Sequence, residues 1–262
     1  MTDTTVKLPI WDSIIQAWHK VHGAKQTVWG ALLLIIAIMV GFAILSGIAN
    51  AIYIPLGSVI SFISQIFFYL LIAGMIYIGL QRAQDTPISY KMVFRAVEWR
   101  LGAKLILLYI LKCLIMLPFV LILLFTVFIS AFLHVMTMGF SHASETVNAA
   151  TVSAGFSSPL SILAFIIVGC AFIYTFTRIM LAVPFLLMQN TGAWEAIVLS
   201  FRATRCNFWR IVGWYISLWL IMVISIIPVG IGLIWTLPLV YIAYGMVYKT
   251  LSANANNSMM IK

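Results

Sequence analysis

Few side chains in this sequence could do chemistry, and they fall in three places. The first is the run LHVMTMGFSHASE, with His134, Met136, Met138, His142 and Glu145. Thioethers and imidazoles suit copper(I), but this spacing matches no closed coordination geometry, so a copper site is the weakest reading. The second is a pair of cations within apolar stretches, Lys112 and Arg178. A charge at mid-bilayer costs about 2.5–3.5 kcal/mol on the insertion scale. Such a cation therefore faces a polar cavity or sits at the membrane boundary with its stem snorkelling outward. The third is the stretch from Arg178 to Arg210, which carries Glu195, Arg202, Arg205 and Trp209.

Catalysis has little to draw on. The chain has six acidic residues, none inside an apolar run, and no HExxH, GxSxG or Walker A pattern. A proton relay would need carboxylates or histidines within the spans. Cys113, Cys170 and Cys206 form no CxxC pair, which supports neither a zinc knuckle nor a disulfide frame. The expectation is a protein that is not an enzyme and needs no cofactor.

The elements that must position these residues follow from composition. Of 262 residues, 64% are hydrophobic and 8% charged, and the mean hydropathy is +1.12. So little charge cannot cover a soluble surface, which excludes a soluble globular enzyme, a disordered tail and a nucleic-acid-binding domain despite the net charge of +9. The chain reads as an all-α polytopic membrane bundle. Apolar runs cover 27–48 and 58–80, joined by a connector with Pro55 and Gly57. After a charged segment, Gln81–Lys104, the stretch Leu105–Leu133 contains Lys112, and the stretch Pro159–Met188 contains Arg178. Clean spans at 113–133 and 159–177 put both cations at the boundary, which is the preferred placement. The last run, Ile211–Tyr248, is too long for one span and has Pro228, Gly230 and Gly232 in its middle, so it is read as spans 211–229 and 231–248. The total is six spans in one membrane domain, 27–262, behind an amphipathic anchor, 1–26.

Under that layout all fifteen Lys and Arg fall on one side. The positive-inside rule puts both termini and both charged loops in the cytoplasm. Residues 9–22 place Trp11, Ile14, Ile15, Trp18 and His22 at helical spacing, as in a helix lying among headgroups. Gly74, Gly79, Thr126 and Ser130 are expected to pack helices rather than bind a ligand. The two charged loops also resemble each other. Each follows a Gln at the end of an apolar run with a polar turn and then Phe-Arg-Ala, at Phe94–Ala96 and Phe201–Ala203. This predicts a parallel internal repeat of span, amphipathic cytoplasmic helix, span. In the second loop, Trp194, Ile197, Val198 and Phe201 are expected to form the face sunk at the membrane surface.

The second loop and its flanks, TRIMLAVPFLLMQNTGAWEAIVLSFRATRCNFWRIVGWY, resemble the YciC-like family of uncharacterised bacterial six-helix inner-membrane proteins. They also resemble the membrane domain attached to some glycerophosphodiester phosphodiesterases. The resemblance rests on Arg178, Pro184, Gly192, Glu195, Ala196, Ser200 and Phe208-Trp209-Arg210. The phosphodiesterase catalytic domain is missing, so its activity does not carry over. The resemblance implies an integral inner-membrane protein tied to envelope or lipid biology. The leading expectation is a scaffold or lipid-interacting role in envelope homeostasis, with Arg178, Glu195, Arg202, Arg205 and Trp209 contacting anionic headgroups, a membrane-protein partner or a second copy. The alternatives are a small transporter or permease subunit with Lys112 and Arg178 facing a cavity between the repeats, and an exoplasmic copper-binding protein.

Overall fold

The computed structural model describes residues 6–138, 159–227 and 230–260. Among the described residues there is no strand. The helices are α1 (Ile10–Val21), α2 (Lys25–Ile52), α3 (Ile54–Ala83), a 3₁₀ segment (Tyr90–Val97), α4 (Trp99–Met138), α5 (Pro159–Ile179), α6 (Ala182–Gln189), α7 (Ala193–Ala203), α8 (Phe208–Ile226) and α9 (Leu233–Met260). Among the described residues, five stretches are long and apolar enough to cross a membrane: Lys25–Ile52, Ile54–Ala83, Trp99–Ile129, Ser161–Gln189 and Phe208–Ile226. The expected sixth, 231–248, falls in α9. Its apolar run is diluted by Thr236, Pro238 and three tyrosines before it reaches Lys249.

The chain forms two units, 1–109 with 178–262, and 110–177. In the smaller unit, α4 and α5 meet edge-on through Phe119 and Phe172, with centroids 6.3 Å apart. Lys112 lies inside α4, which runs from Trp99 through the expected span 113–133, because Leu105–Leu111 is apolar and holds no helix breaker.

In the larger unit, α2 and α3 form a hairpin that turns at Tyr53 alone, with Pro55 in the first turn of α3. The connector expected over 49–57 is therefore mostly helix. Two glycines of α3 allow backbone-to-backbone packing. A Cβ on Gly74 would strike the Val93 carbonyl of the 3₁₀ segment, and one on Gly79 would strike the Tyr241 carbonyl of α9. Val93 enters a core with Val28, Ala31, Ile35, Leu71, Met75 and Ile78. The turn between α8 and α9 has Gly230 at φ +75°, and a Cβ on Gly232 would come within 2.7 Å of the Ser225 carbonyl. Both are places for glycine.

The two hairpins differ in reach. Helices α3 and α9 run parallel, since Gly79 meets Tyr241 and Gly245 while the Ala83 carbonyl meets Lys249 Nζ at 3.5 Å. From that crossing, α3 extends back 25 residues to Ile54, about 37 Å at about 1.5 Å per residue. Helix α9 extends back only eight, to Leu233, about 12 Å. The turn between α8 and α9 thus stops about 25 Å short of the turn at Tyr53. Consistently, the start of α9 lies beside the start of α2. Trp29 Nε1 donates to the Ile234 carbonyl at 3.1 Å, and Lys25 Nζ lies 4.6 Å from the Trp235 ring. The six-span layout expected Lys25 and Trp235 at opposite ends of their spans, whereas here they meet.

Helix α1 buries Ser13, Ile14, Ala17 and Val21, packing on α9, α8 and α3. Trp11, Ile15 and Trp18 face outward. The predicted apolar face is therefore divided. Ile14 goes to protein, and the two tryptophans remain available to the surroundings. Pro9 is the N-cap of α1.

Candidate functional site

The predicted contact residues lie around the break between α5 and α6. Helix α5 ends at Ile179, and α6 restarts at Ala182. Groups freed by the break are met by other helices. Ser200 Oγ donates to the Arg178 carbonyl at 2.6 Å and accepts from the Leu181 amide at 3.1 Å. The Tyr244 hydroxyl donates to the Met180 carbonyl. The small residues of α7 make this approach feasible: Ala193, Ala196, Ile197, Ser200 and Ala203 are buried, while Trp194 faces outward, 64% exposed. Of the expected α7 face, Ile197 packs into the protein and Trp194 faces outward. Close packing selected the small residues, not the largest apolar ones. The stretch 182–187 is buried.

Replacing Ser200 by alanine should lower stability by about 1–3 kcal/mol, since both backbone partners are buried and lose their bond. Thermal unfolding of the purified protein, followed by tryptophan fluorescence, checks this. An unchanged midpoint would show that the break does not need the serine.

Arg178 lies in the last turn of α5. Its Nη1 donates to Thr204 Oγ1 at 3.4 Å, and its guanidinium stands 5.2 Å from the Phe201 ring. Glu195 serves its own helix, with Oε2 3.4 Å from the Gly192 amide, the reach-back of a capping box. Asn190, in a left-handed conformation, ends α6 and accepts from Lys104 Nζ at 2.8 Å through both its backbone carbonyl and Oδ1. Arg202 is half-buried, whereas Arg205, Trp209 and Arg210 are exposed. The structure therefore joins Arg178 to α7 through Phe201 and Thr204, and leaves Arg205 and Trp209 facing outward. Lys112 belongs to the other unit, half-buried. For the copper reading, His142 and Glu145 lie outside the described residues, as do the side chains of His134, Met136 and Met138.

A polar tie closes the same end of the larger unit. Lys20 Nζ contacts both carboxylate oxygens of Asp85, at 2.7 and 2.6 Å, and the Ala83 carbonyl at 3.0 Å. Arg82 donates to the carbonyls of Lys20 and His22 at 3.0 and 2.9 Å. The Lys20 hydrogen bond holds Asp85 below its ordinary value of 3.8. A depressed carboxylate supports the fold above its ordinary pKa, and that support is lost as pH falls through the lowered one. Asp85 is exposed, so salt weakens the pair. A carboxyl-carbon NMR titration should give a midpoint for Asp85 below 3.8 that returns towards it in Lys20→Met. A midpoint the substitution does not move would assign the shift elsewhere.

Sequence reasoning missed one feature. A cleft of about 400 Å³ lies between α3, α8 and α9, lined by Ile72, Ile76, Trp214, Leu218, Met222 and Tyr241 among others. The Trp214 ring is 1% exposed, and its indole N–H finds no acceptor among the described residues. The only signal in the sequence was the density of Trp and Tyr in these two segments.

Long apolar helices, basic connecting segments and tightly packed small residues define a polytopic helical membrane protein. The family model "Protein of unknown function (DUF975)" matches residues 15–255, and the chain belongs to that family. No curated protein matches it, and no solved structure does.

Proposed function

We propose that this chain is a non-enzymatic inner-membrane protein whose basic end contacts anionic lipid headgroups in the cytoplasmic leaflet, as a scaffold in envelope homeostasis. The observation that carries the reading is a belt of outward-facing tryptophans beside cations: Trp99 (89% exposed) beside Arg100, Trp209 (79%) beside Arg210, and Trp194 on the helix of Arg202, with Trp11 and Trp18 on α1. Indoles prefer the headgroup level, and each cation near an anionic surface adds about 1 kcal/mol. The one-sided distribution of Lys and Arg supports cytoplasmic termini. Kinship with the YciC-like proteins and the phosphodiesterase membrane domain belongs to the same proposal, as does the parallel repeat. Burial supports the repeat: Val93 and Ala96 in one loop and Ser200 and Ala203 in the other are completely buried, at matching positions around Phe-Arg.

The test is the lipid retained by the full chain in nanodiscs of mixed anionic and zwitterionic phospholipid. The double variant Arg202→Gln, Arg205→Gln should weaken anionic binding by about 2 kcal/mol, roughly thirtyfold in affinity. Equal retention by wild type and variant would overturn the assignment of these residues.

A further inference from the structure

Three helices bring cations to the end of α3: Lys20 from α1, Arg82 from α3 itself and Lys249 from α9. Lys20 Nζ and Lys249 Nζ stand 3.0 and 3.5 Å from the same oxygen, the Ala83 carbonyl. The two ammoniums are therefore at most about 6.5 Å apart, and they repel each other unless negative charge lies beside them. The last carbonyls of α3 supply part of that charge. Asp85 supplies more, but to one side. Its carboxylate holds Lys20 with both oxygens. Among the described residues, Lys249 and Arg82 make no ion pair. Arg82 directs Nε and Nη2 to the carbonyls of Lys20 and His22, which holds its guanidinium at the cluster. Lys20 first, then Lys249 and Arg82, act on the Asp85 carboxylate. One carboxylate thus faces three cations.

Asp85 also sits where a side chain is unusual. It follows the C-cap of α3 with φ +60°, a left-handed position that glycine most often takes. Its side chain is 66% exposed, against 21% for Lys20. The carboxylate can therefore swing into water about its own bonds while the helices stay in place. An exposed pair of this kind contributes little to stability, so a stronger anion can displace it. A phosphate monoester is such an anion. It carries a charge of about −1.5 to −2 at neutral pH and three acceptor oxygens. Two of those oxygens can meet Lys20 and Lys249 at once, whereas the Asp85 carboxylate is tethered on the Lys20 side.

We infer that the meeting point of α1, α3 and α9 binds a phosphate monoester group that bridges Lys20 and Lys249 beside Arg82, and that Asp85 is its built-in competitor, turned into water as the group enters. The group belongs to a lipid headgroup or to a water-soluble molecule, the chemistry being the same. The site uses none of the cations that carry the headgroup reading above and stands apart from it.

The test uses the full chain in phosphatidylcholine nanodiscs. In one arm inorganic phosphate is titrated in, and its binding is followed by phosphorus NMR line width. In the other no phosphate is added, and part of the phosphatidylcholine is replaced by phosphatidic acid, whose headgroup is a phosphate monoester; retained lipid is measured. In both, the Asp85 carboxyl-carbon signal should move towards that of an unpaired aspartate as the carboxylate leaves Lys20. A response to inorganic phosphate assigns a water-soluble ligand, and a response to phosphatidic acid assigns a lipid. A response in neither arm overturns the site. In the responding arm, Asp85→Asn keeps a residue type tolerated at positive φ and removes the charge. It should bind about fivefold more tightly, and Lys249→Gln about fivefold more weakly. Lys20→Met breaks the same tie as Asp85→Asn, yet it should weaken binding because it removes a cation of the site. Changes in the same direction for Asp85→Asn and Lys20→Met would trace the effect to a loosened tie and sink the proposal, as would an Asp85→Asn variant that binds no more tightly. Arg202→Gln, Arg205→Gln should leave the Asp85 response unchanged, so the site and the headgroup reading fail separately.

Discussion

Alanine at Gly79 is expected to cost about 3 kcal/mol or more, beyond the usual range for a single added methyl in a packed core. Its Cβ would enter the Tyr241 carbonyl, and across the same contact a Cβ on Gly245 would come within 2.6 Å of the Gly79 carbonyl. Backbone faces backbone, so no side chain can rotate away. The helices would have to separate along the contact that joins α3 to α9. By the scaling for chains of about this size, the loss corresponds to roughly 6–12 °C in thermal midpoint. Gly41 and Gly47 provide the contrast, since a Cβ on either meets nothing within 4 Å. Alanine there should be neutral or stabilising by up to about 1 kcal/mol through helix propensity. Unfolding curves of the three variants in one detergent decide the matter. Equal midpoints for Gly79→Ala and Gly41→Ala would show that the close approach is not made.

The second large effect concerns the segment before α1. Asn207 is 1% exposed. Its Oδ1 accepts from the buried Leu8 amide at 3.0 Å, and its Nδ2 donates to the Val6 carbonyl at 3.0 Å. Asn254 contacts both backbone groups of Val6, at 2.8 and 3.0 Å, and Arg210 donates to the Leu8 carbonyl at 3.0 Å. Three side chains from α9 and the start of α8 thus hold two residues of extended chain. In Asn207→Ala the buried Leu8 N–H loses its side-chain acceptor, at about 1–3 kcal/mol. Hydrogen exchange over residues 8–21 should accelerate by roughly 5- to 150-fold, with exchange in α3 unchanged. Asn207→Asp keeps the acceptor for Leu8 and should lie between wild type and alanine. Uniform acceleration through the whole chain would mean that Asn207 supports the global fold rather than this clasp.

Much of the helical framework was legible because hydropathy is written residue by residue. The runs at 27–48 and 58–80 became α2 and α3, and Asn190 and Gly192 marked the turn and cap between α6 and α7. Gly74 and Gly79, read as packing positions, are where backbones touch. What escaped the sequence depends on contacts between distant residues. Nothing local to Trp235 says that Lys25 lies over it, and so the reach of the last hairpin was invisible. The burial of α7 was misjudged because periodicity weighs large apolar side chains, whereas Ala193, Ala196, Ser200 and Ala203 were chosen for closeness. Lys112 was treated as a boundary because a charge interrupts a hydropathy plot. It does not interrupt a helix.

The unequal hairpins have a consequence for the larger unit. Beyond the level of Leu233 only α2 and α3 of this unit continue, as far as Tyr53. That tip is a two-helix lever, steadied within the unit by its own contacts alone, whereas near Gly79 the backbone of α3 is braced against that of α9. Fluctuations of the larger unit are therefore expected to grow from Gly79 towards Tyr53.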